Sequence, residues 1–91
     1  MADQQPLPGI ALSDLKRGTV ARIICVCGAA NGASDDMALR LAELGFLPGE
    51  AVRIIARGLL SAEPIAVRVG TGTFALRRFE AAAIRVTPVT V

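Results

Sequence analysis

The chain has 91 residues, of which 53% are apolar, with a mean hydropathy of +0.54, a size for one domain; in its first half the longest stretch free of charged or amide side chains, Ile23 to Ala30, is far short of the roughly 18 apolar residues of a spanning helix. Zero His, Trp and Tyr remove the commonest general base and metal ligand, and with them Ser-His-Asp, Cys-His and H-E-x-x-H chemistry, so a conventional hydrolase is close to excluded. Ten Lys plus Arg against eight Asp plus Glu give a net charge of +2, and the cations are dispersed, only Lys16-Arg17 and Arg77-Arg78 being adjacent, which is too mild a balance for a nucleic-acid protein.

The first residues, MADQQPLPG, are acidic and amide-rich, unlike the basic start and apolar run of a signal peptide, and residues 1–11 are read as a flexible arm before a single domain over 12–91. Leu12 and Leu15, three apart and stopped at Gly18, predict one helical lead-in turn. Thr19 to Cys27 is rich in Val, Ile and Cys and predicts a half-buried strand with Ala21, Ile23, Cys25 and Cys27 on one face and Arg22 on the other. Gly28 to Gly32 break it. Ser34 before Asp35-Asp36 is N-cap chemistry, with two acids at the positive end of a helix dipole, so a helix is expected from about residue 35. Met37, Ala38, Leu41 and Leu44 form its buried stripe, Asp36 and Arg40 are spaced to pair on its polar side, and Gly45 with Pro48 beyond is a stop signal. Leu39 lies about 200° around from Met37 at 100° per residue, an apolar residue on the wet face.

From Ala51 the pattern is a meander of short strands: 51–57, 64–69, 73–77 and 84–88. Gly58 to Glu63 reads as a loose hairpin loop, Gly70-Thr71-Gly72 as a tight one, and Phe79 to Ala83 as one helical turn. The fold class is therefore mainly β with a short helical insertion, about five strands forming a small barrel. No phosphate-cradling glycine motif occurs.

Two sets of residues carry candidate function. Cys25 and Cys27, one residue apart on an extended strand, hold their side chains roughly 6 to 7 Å apart, too far for an unstrained disulfide, which fits a reducing cytosol. As thiolates they would suit iron or zinc, with Asp35, Asp36 or a second copy of the chain completing the shell; ordinary strand packing is the competing reading. Leu39, Leu47, Leu59 and Leu60 lie off the helix stripe or in loops, where burial is not forced, and an apolar cluster on a small module suits a protein partner. Arg77 and Arg78, with Arg68, could meet carboxylates on that partner.

Leu15-x-x-Gly18, Ala21-x-Ile23, Arg40-Leu41-x-x-Leu44-Gly45-Phe46-x-Pro48-Gly49, Pro64-Ile65-x-Val67, Ala75-Leu76-Arg77-Arg78-x-Glu80-Ala81 and Ile84-x-Val86, in this order and spacing, resemble the FeoA family over roughly Leu12 to Pro88. The resemblance implies an SH3-like barrel and a cytoplasmic, non-catalytic accessory role in ferrous iron uptake. The implied partner is FeoB, a membrane transporter with a G-protein-like cytosolic domain. Ala62-Glu63-Pro64 departs from the Gly-Asp-Pro of many members, and the GAANGASDD segment before the helix is long. No cofactor is required by this reading, and neither nucleic-acid binding nor membrane insertion is expected; self-association as a weak homodimer is left open. The alternatives are a transition-metal-binding or metal-sensing domain and an RNA-associated small barrel.

Overall fold

A computed structural model describes residues 8–26, 35–58 and 63–89. Among them, six strands form one antiparallel sheet: β1 (Ile10–Ala11), β2 (Val20–Val26), β3 (Ala51–Arg57), β4 (Ile65–Val69), β5 (Gly72–Leu76) and β6 (Ile84–Pro88), in the spatial order β1-β6-β2-β3-β4-β5. A single 3-10 turn (Leu12–Asp14) follows β1, helix α1 (Asp35–Leu44) is inserted between β2 and β3, and α2 (Arg78–Ala82) joins β5 to β6. The mainly β class with a helical insertion is thus as expected. The count rises from about five strands to six because Ile10 and Ala11, at the end of the stretch read as an arm, pair with Val86 and Arg85. No helix among the described residues is long and apolar enough to cross a membrane.

Period-2 alternation builds the core. Ala21 and Ile23 of β2, Val52 and Ile54 of β3, Ile65, Val67 and Val69 of β4, Leu76 of β5, and Ile84 and Val86 of β6 all point to one side and are buried together with Leu12, Leu15 and Leu41. Two register shifts interrupt the alternation, one between Ile23 and Cys25 against β6, the other between Ile54 and Ala56 against β4. An extra residue in a strand reverses which face the following side chains take. After the first bulge Val26 stands opposite Ile84 and packs on the core, while Cys25 stands opposite Arg85. The expected face Ala21–Ile23–Cys25–Cys27 is therefore corrected: Cys25 leaves the core side. After the second, Arg57 pairs with Ile65, and its Nη2 donates to the carbonyls of Ser13 at 2.9 Å and Leu15 at 2.8 Å, tying the end of β3 to the lead-in turn.

Helix α1 stops where expected. Gly45 adopts φ 117°, which a side chain would disfavour, and the turn that follows delivers Phe46 into the core. Its N–H bonds the Leu41 carbonyl at 3.0 Å. Its ring is fully buried and meets Phe74 edge to face at 5.9 Å between centroids. The Pro48-Gly49 turn then hands the chain back to β2, the Gly49 N–H bonding the Ile23 carbonyl at 2.8 Å and the Ile23 N–H the Glu50 carbonyl at 2.9 Å. A second glycine is needed for close approach: a Cβ on Gly58 would lie 1.9 Å from the Glu63 carbonyl oxygen.

Phe46→Ala should cost about 3–5 kcal/mol, the range for truncating a buried aromatic residue, against a total of roughly 5–14 kcal/mol for a domain of this length. Urea unfolding should show a lowered midpoint with an unchanged slope; a loss below about 1 kcal/mol would mean that the ring is not part of a close-packed core.

Candidate functional site

The helices meet at a buried carboxylate. Glu80, 7% exposed, lies on the inward side of α2 with Ala81. Its Oε1 accepts the Arg77 backbone N–H at 2.8 Å, capping the first turn of a helix too short to stabilise itself. Its Oε2 accepts Arg40 Nη2 from α1 at 3.1 Å. Arg40 therefore pairs across the fold rather than with Asp36, the i, i+4 partner that spacing suggested; a fixed, desolvated carboxylate outcompetes a mobile exposed one. The Glu63 carboxylate caps the same helix from outside, accepting the Arg78 N–H at 2.5 Å. Nothing in this arrangement supplies a nucleophile or a base beside a cleft.

Beyond the C-terminal end of α1 lies an open groove of about 360 Å³, lined by Leu44, Gly45, Leu47 and Glu50 and by the β4–β5 hairpin, Val69 to Gly72 with Phe74. The Pro48 turn leaves Leu47 46% exposed in this wall. Leu39 is 60% exposed on the outer side of α1, as its helical position predicts, and does not line the groove. Arg77 and Arg78 are exposed at the start of α2. Of these expected contact residues Leu47 lines the groove while Leu39, Arg77 and Arg78 do not, and Leu59 and Leu60 lie outside the described residues. Phe79, 56% exposed, is an apolar surface residue that the sequence reading passed over; an aromatic ring in a turn otherwise made of alanine and glutamate was the available signal.

Only half of the expected metal-ligand set lies among the described residues. Cys27 lies outside the described residues, as does the side chain of Asp35. Cys25 is disulfide-bonded, against the expectation drawn for an extended strand, so its sulfur is not offered as a thiolate. Its cross-strand neighbour is a cation, Arg85. Asp36 is exposed on α1, and among the described residues no three of Cys, Asp and Glu come together as a metal-binding group. The donors described do not fit a bound metal ion.

The fold finds its counterpart in known proteins. A family model for the FeoA domain matches residues 10–88. The chain belongs to the FeoA family. A FeoA protein of Stenotrophomonas maltophilia, solved in complex with zinc and described as an SH3 domain protein, is 42% identical with a TM-score of 0.74, the match covering 86% of this chain and 89% of that one. Iron(II) transport protein A of Clostridium thermocellum is 32% identical, with a TM-score of 0.76, over 88% of this chain and 46% of that one. FeoA of Chlorobium tepidum is 28% identical, with a TM-score of 0.77, over 89% and 71% respectively. No significant match is found among curated proteins. The expected SH3-like fold is therefore shown, and the chain is a small member of a family associated with ferrous iron transport.

In this FeoA protein the Glu80 carboxylate should matter more than its arginine. Glu80→Ala removes the acceptor of a helix cap and should cost about 1–3 kcal/mol. Arg40, whose side chain is 66% exposed, should cost under about 1 kcal/mol as Arg40→Ala. Thermal unfolding of both variants and of the double variant checks this; equal losses from the two single changes would show that the ion pair, not the cap, is the stabilising element.

Proposed function

We propose that this FeoA protein is a non-catalytic, cytoplasmic interaction module of ferrous iron uptake that docks on the cytosolic part of a FeoB-type membrane transporter. The observation that carries this reading is the groove between the end of α1 and the β4–β5 hairpin, apolar on both walls and flanked by an exposed Leu47. A partially exposed leucine beside a preformed apolar concavity is the kind of anchor point on which protein interfaces concentrate their energy. Two further facts support it. The S. maltophilia relative is described as a candidate bacterial ferrous iron transport activating factor, which is the role of an effector rather than of a transporter or an enzyme. Leu41 in the core, with Met37 and Leu44 packed against it, seats α1 on the barrel, so the groove wall is formed before a partner arrives and less ordering cost is left for binding. No step of this reading is routed through a metal held by the chain.

Leu47→Glu places a charge in the groove wall and should weaken association with the purified cytosolic domain of the transporter by at least about tenfold, the loss of one packed anchor. Leu39→Glu, outside the groove, should stay within about twofold, as surface changes away from an anchor do. Calorimetric titration of each variant, with circular dichroism to confirm folding, gives the comparison. Undiminished binding of the Leu47 variant would remove the groove from the interface, and loss on Leu39→Glu alone would move the interface to the outer side of α1.

A further inference from the structure

The outer face of the sheet carries cations with no acids among them. None of the six strands contains Asp or Glu, while Arg22, Arg53, Arg68 and Arg85 alternate out of phase with the core residues. Two of these guanidinium groups have structural work. Arg85 donates to the carbonyls of Pro8 at 3.0 Å and Gly9 at 2.9 Å, and Arg22 to the carbonyl of Gly49 at 2.8 Å. Arg53 and Arg68 have neither hydrogen-bond nor ion-pair partners among the described residues. They stand directly opposite each other on β3 and β4, both exposed. Like charges opposite one another across an antiparallel pair destabilise the sheet, so their juxtaposition finds no reason in the fold itself.

We propose that the Arg53–Arg68 pair is a recognition site for an acidic segment of a partner protein. The two arginines line a groove of about 220 Å³ together with Val20, Glu50, Ala51, Val52 and Gly70; Glu50 forms an ion pair with neither of them. A carboxylate between facing guanidinium groups would turn their repulsion into two charge-assisted contacts, which Arg makes in a fork. Besides its three charged residues the lining is small or apolar, Val20, Ala51, Val52 and Gly70, which suits a polypeptide. It offers no aromatic platform for a base, and the chain's three Phe are Phe46 in the core, Phe74 on β5 and Phe79 on α2, which disfavours RNA, whose single strands are held by stacking. Glu50 and Gly70 also border the apolar groove beside Leu47, so a partner segment with an apolar anchor and acidic flank would span both. The acidic site nevertheless stands or falls without the transporter reading, because its test uses no transporter.

The test titrates the full chain with a fluorescein-labelled octapeptide of alternating Glu and Ala, in parallel with inorganic phosphate and a twelve-nucleotide single-stranded RNA, at low salt. Peptide binding should weaken by about fivefold or more in each of Arg53→Gln and Arg68→Gln, the loss of a charge-assisted contact, and should be unchanged in Arg17→Gln, which removes the same charge from the turn before β2. Neither of the first two variants should have a lowered unfolding midpoint, and amide shifts on peptide addition should map to Val20, Ala51 and Gly70. Equal weakening in Arg17→Gln would reduce the effect to net charge and overturn the site. So would absence of peptide binding, phosphate binding as tight as the peptide, or RNA binding that is tighter and equally dependent on Arg53 and Arg68.

Discussion

One buried carboxylate holds the two helices of this FeoA protein in a common frame. A ten-residue helix such as α1 is marginal on its own, and α2, at five residues, is shorter still. What keeps them in place is Leu41 in the core and Glu80 between them, its two oxygens divided between the Arg77 N–H and the Arg40 guanidinium. The carboxylate is desolvated and therefore needs partners. It takes one from the backbone of its own helix and one from forty residues earlier, so the closing turn and the inserted helix share one acceptor. The groove beyond the end of α1 has Leu44, the last residue of that helix, in its wall.

The strands and the helix were legible because each has a strong local pattern. Alternation places β3 and β6, caps and the glycine stop place α1, and the third to fifth strands are separated by glycine- and proline-marked loops. Long-range partners were not legible. The i, i+4 spacing of Asp36 and Arg40 is a sound local signal, yet the arginine goes to Glu80, because sequence spacing carries no information about which carboxylate tertiary packing will desolvate. Strand β1 was missed for a similar reason: two residues cannot show a period, and Ile10–Ala11 becomes a strand only because β6 offers an edge.

The candidate site was legible only in part. The exposure of Leu39 follows from helical geometry, and that of Leu47 from its place after the glycine stop. That Leu47 shares a groove with the β4–β5 hairpin while Leu39 does not is a matter of how α1 sits on the barrel, which no local pattern encodes. The apolar surplus in the composition resolves accordingly. Part of it fills a core contributed by every strand from β2 to β6, by α1 and by the lead-in turn, and exposed positions such as Leu39, Leu47 and Phe79 account for another part.

The bulges explain why the outer sheet face has the character it has. Pairing β3 to β4 outward from Arg57 opposite Ile65 without an extra residue would place Arg53 opposite Val69 and on the core side. The shift between Ile54 and Ala56 places it opposite Arg68 instead and turns it outward, while Val52 and Ile54 take the inward positions. One additional residue thus lets a single strand present Val52 and Ile54 to the core, Arg57 to the carbonyls of the lead-in turn, and Arg53 to solvent. The bulge in β2 acts in the same way on Cys25, which leaves the core side and comes to stand opposite Arg85. A strict two-residue period would have paired both residues with the core, and the unneutralised arginine pair on the surface exists only because the period is broken.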